Sequence, residues 1–181
     1  MAAPYQRYLR QPLSPLERDE VARVDEAAEL LRRHIEEQAA AIDAAHIHGA
    51  QSAAIQALMR VLLLQIGFGE EEVLHPQDGF VTRARPDFFM PLGVNRGVLA
   101  EVERGGTVNN NHDLKDIWKA HIAAEAQHLF LIVPVSNFKP DGSARERPFN
   151  RVVHRAQSFF GDERRQIDVV SLHVFGYGRS G

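Results

Sequence analysis

Residues Arg85–His121 read R-P-D-F-F-M-P-L-G-V-N-R-G-V-L-A-E-V-E-R-G-G-T-V-N-N-N-H-D-L-K-D-I-W-K-A-H. Two apolar segments carry acids at selected places, a Gly-Gly turn follows, and a helical pattern begins. Asp87 comes directly after Pro86 and is embedded in Phe88, Phe89 and Met90, while Glu101 and Glu103 alternate with Ala100 and Val102. Successive side chains of a strand point to opposite faces, so Glu101 and Glu103 share one face. A carboxylate set into an apolar strand is costly to bury unless something cationic meets it. If the two segments are hairpin neighbours across P-L-G-V-N-R-G, Asp87 lies beside that pair. Three converging acids suit a hard divalent cation such as magnesium. The competing reading pairs them with Arg85, Arg96 or Arg104 across strands.

Outward from this stretch, the chain of 181 residues is long enough for one domain with a proper core. It is 44% hydrophobic and 25% charged, the ordinary composition of a globular protein, which sets aside disordered and fibrous classes. The absence of cysteine excludes disulfides, thiolate metal sites and thiol nucleophiles. No apolar run approaches the roughly 20 residues of a membrane span, and the first residues lack the apolar segment of a secretory signal. A cytoplasmic protein with no membrane partner is the expectation. The net charge of −3 runs against nucleic-acid binding. Basic residues nevertheless gather at Arg83, Arg85, Arg96 and Arg104, and again at Arg145, Arg147, Arg151, His154 and Arg155, enough for a local basic surface.

Residues 1–14, with Pro4 and Pro12, read as irregular. Ser14-Pro15-Leu16-Glu17 predicts a helix start with a capping box. Val21, Val24, Ala28, Leu31 and Ile35 then recur every three or four residues, predicting an amphipathic helix that runs to about Ala45. A long helix at a chain end either covers its own domain or packs on a second copy, and we expect the homodimer. His46-Ile47-His48-Gly49 reads as a solvated helix end rather than a metal site. A second helix is predicted over 50–66. Short strands follow at 72–75 and 79–84, then 85–90 and 96–104, a helix over 113–127, a strand over 128–135, a polar loop over 137–147, a helix over 149–160 and a last strand over 167–175.

Pro86-Asp87 followed by Glu101-Val102-Glu103 resembles the PD-(D/E)xK nuclease superfamily, which includes many restriction endonucleases. The likeness extends over roughly residues 51–177 through the order helix, strands, helix, strand. It implies an α/β fold: a restriction-endonuclease-like core with a mixed central sheet flanked by helices over 49–181, preceded by an N-terminal helical extension over 1–48. It also implies that Asp87 and Glu101 bind Mg2+ or Mn2+. The motif lysine is replaced by Glu103, an E-x-E variation found in some restriction endonucleases, and Arg104 is one residue too far along and points to the other face. Some members carry the lysine on the following helix, which makes Lys119 the candidate here, with Asp87, Glu101 and Glu103 completing the catalytic set. Related enzymes sometimes draw an acid from the preceding helix, where Gln51 and Gln56 stand in this chain. The implied activity is metal-dependent hydrolysis of phosphodiester bonds in DNA, as in type II restriction enzymes. The alternative is an inactive descendant serving as a nucleic-acid-binding or assembly module.

Arg85, Arg104, Asn110, Asn111, His112 and Lys115 are the candidate nucleic-acid contacts, the last four at a helix N-terminus whose amides suit phosphate. Trp118 reads as core rather than as a base-stacking platform. His121, Glu125 and His128, at i, i+4 and i+7, form a competing zinc constellation.

Overall fold

The computed structural model describes residues 2–70, 74, 84–161 and 163–181. In chain order the elements are β1 (Tyr5–Leu9), α1 (Pro15–Glu37), α2 (Ala39–Ala45), α3 (Ser52–Gln65), β2 (Gly69–Glu70), β3 (Phe88–Gly93) and β4 (Arg96–Val102). They continue with α4 (His112–Ile122), β5 (His128–Pro134), β6 (Asn137–Phe138), β7 (Ala144–Glu146), α5 (Pro148–Gln157) and β8 (Ser171–Tyr177). Six strands form one mixed sheet in the order β1-β8-β5-β4-β3-β2. The β4–β5 and β5–β8 pairs are parallel, and the other three are antiparallel. The fold is therefore α/β, a mixed six-stranded sheet flanked by helices. No helix among the described residues is long and apolar enough to cross a membrane.

Periodicity explains the layering. On β4, Val98, Ala100 and Val102 join the core formed with α1, α2 and α3, while Leu99 joins the core formed with α4 and α5. The central strands β5 and β8 are buried throughout, as parallel strands covered on both faces must be. Their alternate residues divide the same way: Phe130, Ile132 and Phe175 on the first face, Leu129, Leu131 and Val174 on the second. Gly97 lies where β3 and β4 press together. A Cβ there would sit 2.3 Å from the Phe89 ring and 2.7 Å from the Met90 carbonyl oxygen.

Several boundaries differ from the sequence reading. Residues 5–9, read as irregular, form edge strand β1, with Tyr5 opposite Phe175 and Leu9 opposite Ser171. The capping box of α1 is present: Ser14 Oγ accepts from the Glu17 amide at 3.2 Å, and the Ser14 amide donates to Glu17 at 2.8 Å. The helix breaks at Gln38, so the stretch read as one helix is α1 and α2. Val24, Leu31 and Ile35 are buried against this chain's own sheet, so the stripe that suggested a homodimer seam is already covered. The boundary expected at residue 48 falls between α2 and α3, and both contribute to that same core. His46 is buried rather than solvated, its Nε2 2.8 Å from the Ser136 carbonyl oxygen. Of the two short strands expected over 72–84, only the Leu74–Ala84 bridge falls on described residues.

A polar chain crosses the first face of the sheet. The Tyr5 hydroxyl pairs with His173 Nδ1 (2.8 Å), His173 Nε2 with Ser171 Oγ (3.0 Å), and Ser171 Oγ with His128 Nδ1 (2.8 Å). His128 Nε2 lies 3.6 Å from Glu20, too far for a hydrogen bond. Glu20, inside α1, is paired with both Arg96 Nε and Arg96 Nη2. Burial lowers the His173 pKa to about 3 and the His128 pKa to about 4. Because the unfolded chain binds these protons more readily, the stability held above the ordinary histidine pKa is lost as pH falls toward the folded values.

Two outcomes are expected. The advantage of wild type over His173→Gln in denaturant unfolding should shrink by about 1.4 kcal/mol for each pH unit below the ordinary histidine value of about 6.5; a constant difference would contradict a neutral buried imidazole. Gly97→Ala should lower stability by about 2 kcal/mol through overpacking, read from the same unfolding curves.

Candidate active site

The hairpin register builds the site. Phe88 opposes Ala100, so Asp87, one residue before β3, falls opposite Glu101. The Val102 amide donates to Asp87 Oδ2 at 2.9 Å, and the Asp87 amide lies 3.4 Å from Glu101 Oε2. Asp87 is half-buried, while Glu101 is only 3% exposed, being set in the central strand. The ladder continues one residue past β4, since the Glu103 amide donates to the Ile132 carbonyl at 2.9 Å. Glu101 and Glu103 therefore share a face, as the alternation predicts, and that face is the one α4 covers.

Helix α4 brings the cation. Ile117 and Ala120 bury one side of it against β4 and β5, which turns Lys119 toward the strand end. Lys119 Nζ donates to Glu101 Oε1 at 2.6 Å and to Asp116 Oδ1 at 2.9 Å. Glu103 Oε2 lies 2.9 Å from His112 Nδ1. The acids thus meet Lys119 and His112; the arginines proposed as cross-strand partners bond elsewhere or lie outside this cluster.

The charges are not balanced. Burial pushes the Glu101 carboxyl up to about 7, with Lys119 pulling it down and Asp87 adding to the rise. Burial likewise raises Asp116 well above the usual carboxylate range, helped by Glu101 and Glu103. Burial alone would lower Lys119, but Asp116 and Glu101 outweigh it and hold the amine firmly protonated. Asp116 Oδ2 is buried with no hydrogen-bond partner among the described residues. Four carboxyls thus gather around one ammonium and one imidazole, a surplus that a cation would neutralise.

Asp87, Glu101, Glu103, His112 and Lys119 line an open, polar pocket of about 580 Å3, together with Gln51 and Gln56 at the start of α3, and Asp116 is not part of its wall. Among the described residues no group of three or more His, Asp or Glu side chains is placed to hold a metal ion. Asp87 and Glu101 face each other as two carboxylates only. That donor set fits Mg2+, which is commonly held by one or two carboxylates and keeps waters or substrate oxygens for the rest.

The other candidates divide. Arg104 does line the pocket, because the chain turns after β4 instead of continuing the pleat, but its guanidinium donates to the Ile47 and Ala50 carbonyls. His112 lines the pocket, and Asn110 lines an adjoining one. Asn111 accepts from Arg155 at 3.2 Å, and Arg155 also clamps Asp113 at 2.9 Å. Arg85 and Lys115 are exposed outside the pocket wall. Trp118, read as core, is 55% exposed, its ring tilted against His121 at 5.4 Å. The zinc constellation does not assemble. Helix α4 ends at Ile122, His121 Nδ1 accepts from the Asp168 amide at 2.9 Å, and His128 is enclosed in the core.

Asp116 is the site residue that the sequence reading missed. Its signal was the i, i+3 spacing to Lys119, which puts both on one side of a helix.

Comparison of the chain with models of known protein families, with curated proteins and with solved structures finds no match. What the site does must be argued from its own residues.

Lys119→Met should destabilise the protein by about 3 kcal/mol at pH 8, because it leaves buried Glu101 and Asp116 without their cation. The loss should largely disappear at pH 5, where both carboxyls take up protons. Equal losses at the two pH values, in thermal or denaturant unfolding, would contradict this.

Proposed function

We propose that the protein is a divalent-cation-dependent nuclease, with a restriction-endonuclease-like core, that hydrolyses phosphodiester bonds in DNA. One observation carries this reading: Asp87 and Glu101 face each other across a hairpin, with the Lys119 ammonium on Glu101, at the floor of an open polar pocket. A buried Glu101 facing a half-buried Asp87, with a fixed ammonium beside it, has little structural purpose, since apolar residues would fill that place at lower cost. It suits a reaction in which negative charge builds up on a phosphoryl group.

Asp87 and Glu101 would hold Mg2+ or Mn2+, which polarises the phosphodiester and makes a water more acidic. Lys119, held protonated, cannot serve as a base; it stabilises charge on the phosphoryl oxygens instead. Glu103, oriented by His112, occupies the place of the motif lysine and accepts the proton of the attacking water. Gln51 and Gln56 line the same pocket and carry amides that can donate to a phosphate. DNA is chosen as substrate on the strength of the PD-(D/E)xK resemblance.

Incubation with supercoiled, linear and single-stranded DNA in Mg2+ or Mn2+ tests the proposal. Wild type should cut, and Asp87→Ala and Glu101→Ala should each lose at least about 100-fold in rate. Metal binding and DNA binding without cutting would instead support a non-catalytic module built on the same fold.

A further inference from the structure

The acid pocket continues beyond the acids on both sides. It shares Gln56 and Asp87 with a cavity of about 190 Å3 along α3. It shares Arg104 and Gly105 with another of about 350 Å3 beside the β6–β7 hairpin. Both cavities thus adjoin the acid pocket through shared wall residues.

Its two arms differ in chemistry. The α3 arm is walled by Ala53 and Ala57, and its arginine, Arg60, is already paired with Glu70 at 2.7 Å. The hairpin arm is lined by Asn110 and Arg145, while the Asn109 amide already donates to Glu146, the Asn137 amide to Glu146 and the Arg104 carbonyl, and His48 Nδ1 lies 3.1 Å from the Phe138 carbonyl oxygen. The carboxylate on that wall, Glu146, has both oxygens occupied, accepting from Asn109 at 2.9 Å and from Asn137 at 2.8 Å. Arg145 is exposed and makes no hydrogen bond or ion pair with a described residue. Between the two pockets Gly105 is exposed, and a Cβ on it would meet nothing within 4 Å, so the backbone there is open to an incoming group.

We propose that the hairpin arm is a phosphate subsite for the nucleic-acid strand. It binds the phosphodiester next to the one at the acids, with Arg145 as its principal cation and the Asn110 amide as a neutral donor. This rests on the nuclease reading of the acid pocket and extends it. A surplus of carboxylates repels a polyanion, so binding must come from a cation beside the acids. Two cavities adjoining the acid pocket suit a strand that passes through, and so an internal phosphodiester rather than a chain end. The α3 arm, small and with its charge paired, guides the strand without anchoring it.

The test is fluorescence anisotropy of a short labelled oligonucleotide, single- and double-stranded, with Ca2+ in place of Mg2+ and salt varied between about 50 and 200 mM. Arg145→Glu should weaken binding at least about tenfold, and Arg145→Ala should lower the salt slope by about one. Arg145→Lys should restore most of the affinity. Melting temperatures should stay at the wild-type value, because the side chain holds nothing in the fold. Wild-type affinity and slope in Arg145→Glu would overturn the subsite, as would a wild type that binds neither oligonucleotide. Cleavage that survives Arg145→Glu with unchanged binding removes the subsite and leaves the nuclease standing. Binding that depends on Arg145 without cleavage by wild type does the reverse.

Discussion

Everything at the site depends on the position of β4. A strand flanked on both sides by neighbours and covered on both faces by helices cannot carry a carboxylate at its end without help. Glu101 is such a carboxylate, and the surrounding structure supplies that help. The hairpin register puts Asp87 across from it, and the parallel partner β5 extends the ladder to Glu103. The packing of α4 delivers Lys119 to its oxygen. Burying charge in this way costs stability, and the surplus acid is only partly compensated within the chain. An uncompensated cluster at the open end of a central strand is more easily explained by a ligand that binds there than by the needs of folding.

A second buried polar system serves the opposite purpose. The Tyr5–His173–Ser171–His128 chain ties edge strand β1 to the centre of the sheet, and Glu20 with Arg96 ties α1 to the start of β4. His128, Ser171 and His173 are fully enclosed, with neutral imidazoles. One end of β4 is thus fixed by a closed ion pair while the other opens into an acidic groove. The two kinds of polar cluster are separated by access to solvent, not by the chemistry of their residues.

Much of this was legible in the chain because it rests on local rules. Alternation placed Glu101 and Glu103 on one face, the capping box located the start of α1, and the turn-rich connection led to the β3–β4 hairpin. What was hidden depends on long-range contact. Tyr5–Leu9 is too short to read as a strand, and it becomes one only because β8 offers an edge more than 160 residues later. Trp118 has the spacing of a core residue, yet the buried side of α4 is set by Asp113, Asp116, Ile117 and Ala120, which leaves the ring outside. Asp116 was passed over because its one signal, the i, i+3 spacing to Lys119, is common on helix surfaces and gains meaning only from burial. The His121–Glu125–His128 spacing failed because it assumed a helix that ends at Ile122.

The most direct measurement is the anomalous difference map of a crystal soaked in Mn2+. The account predicts a peak touching one oxygen of Asp87 and one of Glu101, with Lys119 moved off Glu101 or sharing it. A map with no peak in this pocket, and Lys119 still bonded to Glu101, would contradict the claim that the acids form a cation site.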